Sequence, residues 1–390
     1  MRIRLILCMF LVLSLLAAGC APAPAEAPSS GETVPPATPA PTPVPATAGE
    51  AEPAATATEA PDALPAVAQA DSASRAFPFA AIDGQTAYWC TGYGIFSIPA
   101  QGQGSLFSET LGRNPAIMDG KLYLIEDQMD ITEEMPYPVN SADVTASRIL
   151  AIPLTGGEAT EIYSAPYIQD LQARDGRLYF STTQGEALRE AGCLFSIAAD
   201  GGDEILLAEE CLSLYGLDET HAYYSGVGED TPTISRVPLG GGESQVLLSD
   251  AGAARTPVIF QGTVYYVTYD LMNPEAENAF GIMSLQEAAP ARLGDAAAQA
   301  LLGVWSGGLY YLTQPGDGEA APAIGRLDLN TLASETVQDA VTEVAALGSG
   351  YCLYSRQAPL LLAGEVHLTP LSGGDAATPF AVTDAVESQG

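Results

Sequence analysis

Residues Asp175–Ser181 read DGRLYFS, and the chain says nearly the same thing again and again. A close copy, DGKLYLI, stands at 119–125. Further variants are DETHAYYS at 218–225, QGTVYYV at 261–267 and SGGLYYL at 306–312, and copies around Gly84 and Gly350 complete the set. Aligned on Gly84, Gly120, Gly176, Glu219, Gly262, Gly308 and Gly350, the seven copies are spaced 36, 56, 43, 43, 46 and 42 residues apart. A period of this size is the mark of a repeat array or a propeller, and it governs every other reading of the chain.

Each copy has a second phrase downstream, such as GIFSIPA, RILAIPL, CLFSIAA or TISRVPL. A Gly-rich turn often follows, as in 155–157, 200–202 and 240–242. Glycine supplies the positive φ that tight hairpins need. One unit therefore reads as strand A, a turn, strand B, a loop, strand C, a Gly turn and strand D. Strand B is apolar at consecutive positions (VYYV, LYYL) and does not alternate. A sheet with one wet face alternates, whereas a sheet covered on both faces does not. The sequence thus predicts an all-β domain, a seven-bladed β-propeller of four-stranded antiparallel blades over residues 77–384, with a C-terminal tail at 385–390.

AYWCTG at 87–92, LYFST and YYSG resemble the Tyr-Trp-Thr-Asp repeat of low-density-lipoprotein-receptor-type propellers, with Tyr88 and Trp89 matching its first two letters. The whole cadence is similar to the YWTD-like propellers of bacterial surface lipoproteins. That resemblance implies the architecture and carries over no binding residue. The receptor-type propellers have six blades, where this chain has seven copies.

The front of the chain is of another kind. Arg2 and Arg4 precede an apolar stretch, Leu5–Leu16, and LAAGC ends at Cys20. This is a secretion signal over residues 1–19, too short to span a bilayer in a mature protein. The Cys after small residues resembles a bacterial lipobox, which implies cleavage before Cys20 and a diacylglycerol on its sulfur. The plainer alternative is an ordinary signal peptide. Residues 20–76 follow as a tether, and 12 of the 45 residues from Ala21 to Pro65 are proline. Such a segment has too little apolar surface to offset its ordering entropy. At ~3.1 Å per residue it reaches at most ~170 Å, and a flexible coil would average nearer ~40 Å. The expected location is the outer side of the cell membrane, reached through the lipid anchor, with a monomeric domain held away from the bilayer.

The chain carries 14 basic and 48 acidic residues, a net charge of −34. Removing the signal makes it 12 − 48 = −36. Such a charge excludes nucleic acid as a partner. No G-x-S-x-G, H-E-x-x-H, P-loop or C-x-x-C motif is present, no D-x-D-x-D-G spacing defines a calcium loop, and nothing calls for a cofactor. His221 and His367 fall within strands, where they are expected to bond inside their own blades.

The remaining candidates are few. Cys193 begins strand C of the third blade and Cys211 ends its strand D, so folding about 200–203 predicts a disulfide between them. Cys90 and Cys352 fall on strand B of the first and last blades, where a bridge would latch the ring although neighbouring B strands stand far apart. The longest insertions are B–C loops, above all Glu126–Ser147, and they are acidic. Arg113 in GRNP and Arg255 in ARTP occupy equivalent positions before the second and fifth blades. There, arginine is suited to grip a carboxylate or sugar hydroxyls, or else to pair with the acidic loops. The expected function is a non-catalytic binding module for a protein, peptide or glycan. The alternatives are an enzyme at the channel mouth acting on glycan or peptide, and a scaffold for envelope assembly.

Overall fold

The computed structural model describes residues 72–74, 77–129, 144–183, 191–251, 254–268, 280–286, 289–314, 321–356, 365–372 and 379–381. Cys20, the tether before Ser72 and most of the long loops lie outside these. Every element among the described residues is a β-strand.

Each sequence copy lies on a hairpin. The first strands are β2 (Ala80–Asp83), β6 (Arg113–Met118), β10 (Ile168–Arg174), β13 (Ile205–Leu217), β17 (Ala254–Phe260), β20 (Ala289–Trp305) and β24 (Glu343–Gly348). Their hairpin partners are β3 (Thr86–Thr91), β7 (Lys121–Met129), β11 (Arg177–Thr182), β14 (His221–Gly226), β18 (Thr263–Thr268), β21 (Gly308–Thr313) and β25 (Tyr351–Ser355). The turn residues explain the recurring Asp-Gly. Asp175 has φ 50° and Gly176 φ 76°, and Asp119 and Gly120 have 51° and 70°. Both central residues are left-handed, the two-residue turn whose twist matches that of the strands. In the fourth copy Asp218 does the same work without glycine: it accepts from the backbone N–H groups of Thr220 and His221, each at 2.7 Å, and from Tyr223 Oη at 2.6 Å. Burial raises the Asp218 pKa, but those bonds outweigh it and hold the carboxyl below its usual range. Two copies shift by one residue against the sequence alignment. Gly84 opens its turn, and Gly307 rather than Gly308 closes the sixth.

Outer strands extend each hairpin. β4 (Gly94–Pro99) and β5 (Ser105–Ser108) complete β2–β5, and β8 (Val144–Pro153) and β9 (Thr160–Ala165) complete β6–β9. β26 (Glu365–Pro370) and β27 (Phe380–Ala381) complete β24–β27. The middle of the chain forms two longer sheets. One runs β10 to β16 through β12 (Gly192–Ala198), the 13-residue β13, β15 (Thr233–Pro238) and β16 (Gln245–Leu248). The other runs β17 to β23 through β19 (Gly281–Gln286), the 17-residue β20, β22 (Ile324–Asp328) and β23 (Ser334–Gln338).

The first strands touch in chain order, β2 to β6 to β10 to β13 to β17 to β20 to β24, and β24 returns to β2. The sheets therefore stand around a common axis. Paired aromatics show how they are held. Tyr223 packs with Ile259, Val264 and Leu285 of the following unit (β17–β19), while Tyr224 packs with Leu194, Leu207 and Leu214 of β12 and β13 before it. Tyr265 and Tyr266 divide in the same way, as do Tyr310 and Tyr311. Trp89 reaches the cluster that joins the first and last sheets, together with Leu353, Tyr354 and Phe380. Neighbours in a strand point to opposite faces, so two consecutive apolar residues serve two different interfaces. That is the physical meaning of the non-alternating strand.

Candidate functional site

The first strands surround a cavity of about 300 Å3 lined by β2, β6, β10, β13, β17 and β24. Its walls are mostly small or apolar, among them Ala80, Ala116, Ala173, Gly216 and Ala346. It lies toward the ends of the first strands, where Ile82, Ile117, Leu217 and Gly348 sit, here called the turn end. The end at which the first strands begin, the entry end, carries the polar chemistry.

At the entry end Arg113 opens β6 and is bound on every side. Its Nε donates to Asp127 Oδ2 at 2.7 Å and its Nη2 to Asp127 Oδ1 at 3.0 Å, a bidentate fork. Nη1 donates to the Gln169 carbonyl at 2.9 Å and Nη2 to the Ile168 carbonyl at 2.6 Å, both on β10. The Tyr167 ring centroid lies 5.2 Å from its Cζ. Ser147 Oγ completes Asp127 from β8 at 2.7 Å.

The next link is Asp170 on β10. Its Oδ2 accepts from Ser181 Oγ at 2.7 Å, Ser213 Oγ at 3.1 Å and the Leu214 N–H at 2.9 Å. Burial drives the Asp170 pKa up, against those three bonds and the nearby Arg113 charge, and the net direction is upward. The network thus clamps five first and second strands, β6, β7, β10, β11 and β13, and reaches β8 through Ser147, across three neighbouring units.

Arg255 occupies the matching position on β17, with a different outcome. Both arginines precede a left-handed residue and a proline: Asn114 at φ 51° with Pro115, Thr256 at φ 46° with Pro257. Both open a bulge, at Arg113/Ala116 and Arg255/Val258. A β-branched residue at such a φ is strained. Thr256 is held there because its Oγ1 accepts the Leu301 N–H at 2.8 Å. Yet the Arg255 side chain is exposed and forms no ion pair with another described residue, and its charge reaches the Tyr215 hydroxyl. The predicted pair therefore divides. Arg113 is committed to Asp127 and two carbonyls, Arg255 faces solvent, and the two stand on separate strands.

Other expectations are corrected by the same geometry. Glu126, Asp127 and Ser147 belong to strands, because β7 and β8 pair out to Met129 and Val144, and Glu126 bonds Arg148 across the hairpin. The loop is thus shorter than Glu126–Ser147. Of the other acidic loop residues, Glu186, Glu190, Asp270, Glu275, Glu277, Asp317 and Glu319 lie outside the described residues, while Glu229 and Asp230 are exposed. Cys211 faces Gly192 in the register, one residue off Cys193, and Glu210 at φ 55° breaks the ladder beside it. Both cysteines are thiols here, and burial pushes the Cys211 thiol up, with Asp170 adding to it. Cys90 packs toward the second sheet and Cys352 into the cluster joining the first, sixth and seventh, so no latch forms between them.

His221 Nδ1 lies 2.7 Å from Thr220 Oγ1, and His367 stacks on Tyr354 at 5.3 Å with Nε2 3.2 Å from Glu365, as expected of histidines bonded within their own sheets.

The role of Asp170 was not foreseen. A signal was present in the opening stretch itself: its last letter, Ser181, is a hydroxyl, as are Thr91, Ser225, Thr268, Thr313 and Ser355 at the ends of other second strands. Thr91 and Thr268 bond into the next strand instead.

No family model matches the chain, and no curated protein matches it. Solved structures do. The tricorn protease superposes with a TM-score of 0.55 at 10% identity, over 80% of this chain and 36% of its own. Puromycin hydrolase gives 0.53 at 12% identity, over 78% and 53%. Its mutant complexed with PGG gives 0.53 at 12%, over 79% and 55%. The fold is of the β-propeller type. At these identities the likeness establishes the fold alone, and this propeller spans between about a third and about half of those chains.

Proposed function

We propose that the chain is a lipid-anchored β-propeller of seven four-stranded blades, which acts outside the cytoplasm as a binding module for a protein, peptide or glycan. The blade count is supported by the hairpins named above: β13 and β20 each serve as the outer strand of one blade and the first strand of the next. The location of the site at the entry end is supported by one contrast. Two arginines share a strained bulge, Arg113 is consumed by the protein, and Arg255 is left facing solvent beside Thr256. A guanidinium so placed suits one anionic group of a ligand, held by charge-assisted bonds.

The test is a screen of carboxylate-bearing peptides and uronic-acid glycans against the purified chain, followed by titration of each binder. Arg255→Ala is expected to weaken binding by roughly 10- to 100-fold, as for loss of a charged hydrogen bond, with the melting temperature unchanged. Equal affinity in parent and variant, or no binder, would remove this site.

The anchor is tested separately. Cys20→Ser is expected to release the protein or leave it as precursor, and a processed variant that still fractionates with membranes would count against lipidation.

A second reading is an enzyme acting on glycan or peptide at the same end. It is favoured by a fold shared with proteins named as a protease and a hydrolase. Turnover of a binder in the titration, where the first reading gives a stable complex, would select it.

A further inference from the structure

The cavity is bounded by the first strands of every unit but one. β20 is absent from its wall, and another strand pairs with it. Ser72–Ser74, here β1, pairs antiparallel with β20: Ser72 with Trp305, Ala73 with Val304 and Ser74 with Gly303. β21 already holds one edge of this part of β20, so β1 takes the opposite edge, the one that faces the axis. β1 also touches β17 and β24, the first strands on either side. It therefore lies inside the channel. Ser72 stands at the turn end, opposite Trp305, and Ser74 lies nearer the entry end, opposite Gly303.

A first strand in such a ring has one unpaired edge of N–H and C=O groups, and these are a template for any extended chain that reaches them. Along β20 the available stretch is short. The Leu301 N–H is already taken by Thr256 Oγ1 from β17, which leaves Gly303–Trp305. The cavity wall carries larger groups such as Phe77, Leu171, Arg174 and Ile259 but also Ala80, Ala81, Ala346 and Gly348, and at these small residues the space admits a backbone and small side chains. Residues 72–74 are Ser-Ala-Ser, which fits that description. Three residues of ladder make few hydrogen bonds against the entropy of fixing the segment, so β1 holds its place largely through being tied to the same chain.

We propose that the channel-facing edge of β20 at Gly303–Trp305 is an acceptor site for an extended peptide of small residues from a partner, added as a strand, and that Ser72–Ser74 is its displaceable occupant within the chain. This site lies in the channel and is independent of the Arg255 reading.

The probe is an acetylated peptide spanning residues 71–77, Asp-Ser-Ala-Ser-Arg-Ala-Phe, carrying a fluorophore for anisotropy. Against the full chain it is expected to bind weakly. Ala73→Pro removes a backbone donor from β1 and is expected to tighten binding by tenfold or more. A probe with proline in the same central position is expected not to bind. Equal affinity of parent and Ala73→Pro, or no binding to a variant that melts like the parent, would overturn the proposal.

Hydrogen exchange on the unaltered chain gives a reading that does not depend on the variant folding. Saturating probe is expected to raise exchange at Ser72–Ser74 while Gly303–Trp305 remain protected, because the peptide replaces the strand. Unchanged exchange at Ser72–Ser74 would mean that β1 is a fixed part of the fold, and the acceptor site would be refuted.

Discussion

Arg113→Ala is expected to lower the stability of the propeller by about 3–5 kcal/mol, the cost of breaking a buried ion pair from one side. The side chains of Arg113 and Asp127 are only 14% and 13% exposed, so little solvent screening discounts the pair. Without the guanidinium, Asp127 keeps only the Ser147 hydroxyl, the Ile168 carbonyl loses the Arg113 donor, and the Gln169 carbonyl is left with the longer bond from Asn114 Nδ2 at 3.3 Å. Asp170 also loses the positive charge that offsets its burial. In a domain of this size the change corresponds to a fall in Tm of roughly 5–10 °C. Arg113→Lys keeps the charge but not the fork, and should recover only part of the loss. Arg255→Ala, at an exposed position, should stay within about 0.5 kcal/mol of the parent. Urea unfolding of the three variants measures this. A loss under about 1 kcal/mol for Arg113→Ala would show that water replaces the arginine, and the network would not be a clamp.

Removing residues 218–250, and with them β14, β15 and β16, is expected to abolish cooperative folding rather than to yield a smaller ring. The segment carries Tyr224 and Val237 into the interface before it and Tyr223, Ile234 and Leu247 into the interface after it. Their partners Leu194, Leu207, Leu214, Ile259, Val264 and Leu285 would be uncovered. Burial of such a side chain contributes about 1.5–3 kcal/mol. Some ten residues lost from the core therefore exceed the ~5–15 kcal/mol that a whole domain retains. β13 adds to this, since that one continuous 13-residue strand pairs with β12 on one side and with the removed β14 on the other within a single sheet. Calorimetry on the deletion variant tests the point. A single sharp, native-like transition would mean that each unit holds itself and that the array is open.

Much of this architecture was legible in the chain. The Asp-Gly turns, the period near 44 residues and the consecutive apolar pairs are local features, and local features survive in a linear sequence. Two left-handed residues need Asp-Gly or its like, and a strand buried on both faces must be apolar on both. The strongly acidic composition and the separate character of the first 76 residues were equally plain.

The tertiary structure decided whatever depends on which groups meet. Arg113 and Arg255 sit in the same local phrase, Arg-x-Pro before a first strand. Only Arg113 finds an Asp two residues beyond its cross-strand partner Ile125 and two carbonyls of the next strand. Asp127 read as one acid of a loop and proved to be half of a clamp. Cys193 and Cys211 read as partners, and a one-residue bulge at Glu210 set them out of register. Ser72–Ser74 read as the last of a tether and lies in the channel. Each of these outcomes rests on a contact between segments tens to hundreds of residues apart, and a sequence pattern records what a residue is while distance and burial determine what its charge or its edge can reach.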